Sequence, residues 1–154
     1  MADYIPDIKT LIPHGPPMVL VDRLLGFPGS PDSPGSPGSP DSPGSTTRTT
    51  FLITADNPLT MDGKISIAGL IENMAQTAAA GAGFAAFAAG GAVSSGAIIA
   101  INNLGISRLP ELGEELITVV TVTARVADIV VISGRITCGQ SVVATGEMKI
   151  LTGI

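Results

Sequence analysis

The spacing of apolar and polar residues changes twice along this chain. Met18 to Leu25, MVLVDRLL, is an apolar run broken only at Asp22-Arg23, and it reads as a strand entered from a proline-rich corner at Pro13 to Pro17. Thr46 to Ala55 reads as a second strand, with Thr47, Thr49, Phe51 and Ile53 sharing one face under the two-residue period. Asp56 to Gly63 is a turn-rich loop. The period is then lost. From Ala68 to Ala89 the residues are nearly all Ala, Gly and larger apolar types without a continuous polar face, which predicts a helix enclosed by protein and stopped at Gly90-Gly91. Beyond it, Ala97 to Arg108, Glu115 to Ala127, Asp128 to Cys138 and Ser141 to Leu151 are rich in Val, Ile and Thr. Their breaks lie at Pro110 to Gly113, near Ala127-Asp128 and at Gly139-Gln140. Strands joined by such turns form an antiparallel meander, and an apolar helix inserted after the second strand must lie on its concave face. The predicted class is α+β, a sheet wrapped around a central helix, as one domain over 1–154. Small residues at 78 to 83 are then explained by strands approaching the helix closely, despite their cost in helix propensity.

Residues 28 to 45 interrupt this pattern with six proline-led triplets, PGS PDS PGS PGS PDS PGS. Such a segment has no apolar side chain to bury and is expected to be a disordered loop inserted between the first two strands. Asp32 and Asp41 break the glycine period that collagen requires.

Composition narrows the function classes. A net charge of -5 with scattered Lys and Arg argues against nucleic acid or an anionic membrane as a partner. The run from Met74 to Val93 is long enough for a membrane span but is too weakly hydrophobic, holding Gln76, Thr77 and several glycines. The N-terminus, MADYIPDIKTLIPHG, lacks the basic flank and apolar stretch of a secretory signal, so a cytoplasmic location is expected. The single cysteine, Cys138, excludes an intramolecular disulfide and reads as a small buried hydrophobe. Neither a metal-ligand cluster, a Ser-His-Asp spacing nor a phosphate-cradling glycine motif is present.

Two residues carry the candidate chemistry. Glu72 places one carboxylate in the helix stretch GLIENMAQ, and an acid in apolar surroundings must be paired, hydrogen-bonded or held protonated for proton donation. Gln76, four residues on, lies on the same helix face, where it either orients that carboxyl or bonds the facing backbone. His14 is the only histidine, and an imidazole is the side chain best suited to exchange protons near neutral pH. It reads either as a proton-exchanging group or as a hydrogen-bonding group in the N-terminal corner. Asp56 and Asp62 read as turn residues, and Arg108 as a solvated strand-end arginine or a contact for an acidic partner.

Three blocks, LIPHGPPMVLVDRLL, GLIENMAQTAAA and IAINNLGISRLPELGEEL, together resemble the hotdog-fold 3-hydroxyacyl-[acyl-carrier-protein] dehydratases across nearly the whole chain. In that family a histidine in a His-Phe-Pro-Gly loop lies fourteen residues before the helix acid. Pro58 stands at that spacing here, within Asp56-Asn57-Pro58-Leu59-Thr60-Met61-Asp62-Gly63. The chain is in this respect similar to the divergent subfamily of aryl-polyene and flexirubin-type pigment clusters. The resemblance implies dehydration of 3-hydroxyacyl thioesters to trans-2-enoyl thioesters in fatty acid or polyene biosynthesis. Glu72 would be the acid and His14 a replacement base. Ile67, Ala68 and Gly69 at the helix start would supply backbone donors to the substrate, with Gln76 beside them. It also implies a substrate carried on the phosphopantetheine arm of acyl carrier protein, no cofactor beyond that arm, and no metal. A homodimer or higher homo-oligomer is expected, or a heterodimer with a second hotdog chain. Two rivals are a non-catalytic subunit of a heterodimeric dehydratase and an acyl thioesterase. Acyl length would depend on how Phe84, Phe87 and the strand after the helix pack.

Overall fold

The computed structural model describes residues 4–27 and 42–154. The proline-led triplets lie outside the described residues, apart from Ser42 to Ser45. In chain order a short 3-10 turn (Ile8–Thr10) precedes β1 (Arg23–Gly26), β2 (Thr46–Leu52), the two-residue strands β3 (Thr60–Met61) and β4 (Lys64–Ile65), helix α1 (Ile67–Ala88), β5 (Gly96–Ile106), β6 (Glu115–Val126), β7 (Ile129–Cys138) and β8 (Ser141–Thr152). Six strands form one antiparallel sheet in the order β1-β2-β6-β7-β8-β5, while β3 and β4 make a separate small hairpin. The sheet wraps around α1, which is the expected hotdog arrangement.

The helix obeys its local signals. Ser66 caps it by accepting the Gly69 N–H at 3.1 Å, and the chain leaves it where Gly90 takes φ +74°, with Gly91 N–H returning to Ala86 O. Its inner side meets the sheet at close range. A Cβ on Gly134 of β7 would lie 2.7 Å from the Met74 sulfur, and one on Gly81 would collide with the Thr47 side chain. Thr47, Thr49, Phe51 and Ile53 are all buried, as their two-residue period predicts. The main core joins Leu70 and Met74 to Leu116, Ile132, Ile136 and Met148. A second, smaller core packs Ile8, Leu11 and Ile12 of the N-terminal strap with Val21, Leu24 and Ala80. Among the described residues no helix is long and apolar enough to cross a membrane.

Two expectations about the strands need correction. The ladder of the first strand covers only Arg23–Gly26, although Leu20 and Val21 are fully buried. The backbone ahead of it is bound by helix side chains instead: Leu20 N–H donates to Gln76 Oε1 at 2.8 Å, and Asn73 Nδ2 donates to Leu20 O at 2.8 Å. The run from β5 onward is also not a simple meander. β5 pairs with β8 at the far edge, so the segment around Pro110 crosses over rather than turning back. It is tied down by Ile65 N–H to Pro110 O and Leu112 N–H to Gly63 O, contacts to the β3–β4 hairpin that strand periodicity alone does not reveal.

Candidate active site

The strap and the helix bring the two candidate proton carriers together. His14 Nε2 lies 3.1 Å from Glu72 Oε1, with the side chains about a third and a quarter exposed. Glu72 is therefore paired and partly accessible, not sealed in the core as its apolar neighbours suggest. Gln76 Nε2 donates to the same carboxylate oxygen at 3.1 Å and to Met18 O at 2.8 Å, while its Oε1 accepts from Leu20 N. Gln76 thus does both things weighed from its spacing: it orients the carboxyl and it bonds the facing backbone. It is fully buried, and its amide is spent on these contacts, so its action on a substrate runs through Glu72.

Beneath this trio a polar network crosses from helix to sheet. Asn73 accepts at Oδ1 from Thr118 of β6, Thr77 Oγ1 donates to Asn73 O at 2.8 Å, and the Thr77 and Thr49 hydroxyls are 2.7 Å apart. Asn73, Thr77, Thr49 and Thr118 are all fully buried, where an unpaired hydroxyl or amide would cost about 1–3 kcal/mol. Sequence reasoning passed over the threonines. Their signal was available, since a hydroxyl at an inward position of a two-residue alternation requires a partner.

His14 and Glu72 line a cavity of about 280 Å³ between α1 and the sheet. On the helix side its wall is Ala75, Ala78, Ala79, Ala82, Gly83 and Ala86, one face at steps of three and four residues. Opposite stand branched side chains such as Val120, Val130 and Ile132. From Glu72 to Ala86 the helix rises about 21 Å, so the cavity is long and narrow with its proton-carrying groups at one end. Phe84 and Phe87, expected to set the depth, lie elsewhere: Phe84 stacks on Phe27 at 3.9 Å between ring centres and Phe87 leans on Tyr4.

The expected backbone donors at the helix start are not brought to this cavity. Ile67 and Ala68 are exposed, Gly69 is buried against Ile65 and Leu59, and the Gly69 N–H is taken by Ser66. None of the three lines the cavity, because they precede Glu72, the first helix residue on its wall. Arg108 is likewise occupied. Its guanidinium forks onto Glu114 at 2.9 and 3.0 Å, which holds that carboxyl down at about 2 and raises the arginine further above its usual range. Burial pushes the Cys138 thiol up, in keeping with an inert buried hydrophobe. Asp56 accepts from Thr54 and Asp62 has φ +54°, so both are turn residues.

The family model for ApeP dehydratase, described as ApeP-like, matches residues 43–153. The chain belongs to the ApeP-like dehydratase family. Among solved structures it is similar to the dehydratase heterocomplex ApeI:P from Xenorhabdus doucetiae, with a TM-score of 0.81 at 17% identity over 98% of this chain and 93% of that one. It is more distantly similar to the PaaI protein of the E. coli phenylacetic acid degradation operon, with a TM-score of 0.53, 18% identity and 69% and 75% of the two chains covered. A hypothetical thioesterase with coenzyme A from Streptococcus pneumoniae TIGR4 gives a TM-score of 0.57 at 11% identity over 85% and 84%. No curated protein sequence matches the chain. The ApeP-like chain is thus a hotdog protein of dehydratase type whose own histidine and carboxylate meet at the end of an apolar cavity.

Proposed function

We propose that this ApeP-like chain dehydrates 3-hydroxyacyl thioesters presented by acyl carrier protein, with His14 and Glu72 as its proton-transfer pair. The observation that carries this reading is the 3.1 Å contact between His14 Nε2 and Glu72 Oε1 at the end of the cavity. The acyl chain lies along the alanine face of α1, and the thioester end lies beside the pair. His14 takes the proton alpha to the thioester carbonyl. The electron pair forms the double bond, and the 3-hydroxyl departs as water with a proton from Glu72. Histidine is then protonated and glutamate ionised, and transfer of one proton across their contact restores both. Gln76 supports the charge on Glu72 by donating to Oε1.

The working form in this proposal is a complex with a second hotdog chain. β5 lies at the sheet's end, where one edge meets no strand among the described residues, and it exposes Ile99, Ile101 and Leu104. Donors for the developing enolate oxygen would come from that partner, since Ile67 to Gly69 lie away from the cavity. The similar solved dehydratase is itself a heterocomplex, which supports this arrangement.

The test incubates the protein, alone and with a hotdog partner carrying a His-Phe-Pro loop, with a 3-hydroxyacyl carrier protein, and follows enoyl product by mass spectrometry. Glu72→Gln and His14→Ala should each lower turnover by about a hundredfold or more. Product formed only with the partner and indifferent to both substitutions would make this chain a non-catalytic subunit. Free acid and free thiol in place of enoyl product would make it a thioesterase.

A further inference from the structure

We infer that Gly83 is a positioning residue, the point at which the N-terminal strap is registered against α1 so that His14 reaches Glu72. The inference rests on the reading of His14 and Glu72 as the proton-transfer pair. His14 lies in a segment without strand or helix, between the 3-10 turn and β1. Among the described residues its ring has one polar contact, at Nε2 to Glu72, while Nδ1 is buried without a hydrogen-bond partner. No second hydrogen bond from the described residues fixes the imidazole, so its place depends on the backbone that carries it.

That backbone is pinned three residues earlier. Leu11 is 1% exposed and packs in the second core, and its carbonyl lies directly on the helix at Gly83. A Cβ built on Gly83 would fall 1.8 Å from Leu11 O, 2.7 Å from its carbonyl carbon and 3.0 Å from its Cα. These are backbone atoms, which cannot rotate aside as a side chain would. Only a residue without a side chain allows the strap to lie this close.

Helix geometry shows why the contact matters at Glu72. Gly83 follows Glu72 by eleven residues, three turns on, so both are on the same face, about 16 Å apart along the axis. The three-residue link from Leu11 to His14 spans at most about 10 Å, and the His14 and Glu72 side chains must cover the remainder. The link is only three residues long and includes Pro13, whose ring fixes its φ. A side chain at position 83 lifts Leu11 off the helix, and that displacement passes on to the imidazole.

Because the chain has one histidine, imidazole NMR reads this position without reference to catalysis. Protein labelled with 15N-histidine is compared as wild type, Glu72→Gln and Gly83→Ala, with backbone amides of β6 to β8 as the check on folding. We expect Glu72→Gln to shift the His14 nitrogen signals, and Gly83→Ala to move them towards the Glu72→Gln spectrum while the sheet amides stay put. Turnover in Gly83→Ala should fall at least tenfold. Should Gly83→Ala fail to fold, Leu11→Ala, which loosens the same anchor without a clash, should produce the same drift. Wild-type His14 signals in folded Gly83→Ala overturn the inference. So do wild-type signals in Leu11→Ala where Gly83→Ala does not fold, or signals that Glu72→Gln leaves unmoved. A wild type that stays inert even with the hotdog partner, while its His14 signals still respond to Gly83→Ala, would sink the dehydratase reading and leave the strap's role standing.

Discussion

The two halves of α1 solve opposite problems with the same backbone. From Glu72 to Thr77 the helix turns polar side chains inward, and each is matched: Asn73 to Leu20 and Thr118, Gln76 to Met18, Leu20 and Glu72, Thr77 to Thr49. From Ala78 to Ala86 it presents alanine and glycine and leaves an elongated cavity against the sheet. The first half is over-determined by hydrogen bonds with defined directions, so it holds a carboxylate in one place. The second half is defined by what its side chains leave unfilled, so it receives a chain without dictating its chemistry. Precision and capacity are separated along one helix, and His14 and Glu72 meet at the start of the polar half.

This contrast can be broken most forcefully at the polar end. Asn73→Leu strands the Leu20 carbonyl and the Thr118 hydroxyl without partners, and about 2–4 kcal/mol of unfolding free energy should be lost in urea titrations. An equal stability of variant and wild type would mean the network is dispensable. Gln76→Leu should cost about 2 kcal/mol through the unpaired Met18 and Leu20 backbone groups and should also slow turnover, because it releases Glu72.

Along the alanine half the effect should appear in selectivity. Ala78→Leu places three extra carbons in the cavity, and kcat/KM for long acyl chains should fall about tenfold relative to the shortest one. A uniform loss across chain lengths would show that the acyl group lies elsewhere. Smallest of all is the surface fork remote from both halves. Glu114 is held at about 2 instead of the ordinary 4.5, so its contribution to stability is complete above about pH 4.5 and is lost as pH falls towards 2. Glu114→Gln should therefore lower the melting temperature slightly at pH 7 and leave it unchanged near pH 2, both read by calorimetry.

Much of the fold was legible because its signals are local. The two-residue alternation of Thr47, Thr49, Phe51 and Ile53 identified the buried face of β2, and Gly90-Gly91 marked the end of the helix. Of the site, Glu72 stood out as a carboxylate among apolar residues, and the step from 72 to 76 placed Gln76 beside it. The errors fell where long-range partners decide the outcome. Leu20 looks like part of a strand, yet its amide and carbonyl are bound by Gln76 and Asn73 more than fifty residues away. Ile67 to Gly69 look like available donors, yet the cavity lies on the other side of Glu72 and Ser66 takes the Gly69 N–H.

By itself the sequence determined where the longer strands and the enclosed helix lie, and that the one carboxylate on it needs a partner, because periodicity and burial costs act over a few residues. It did not determine that His14 is that partner. Fifty-eight positions separate the two, and their meeting depends on the strap lying across α1 at Gly83, a contact between backbone atoms that leaves no mark in hydrophobic spacing. Only tertiary packing decides such contacts, since a missing side chain shows its purpose once the segment that fills its place is known.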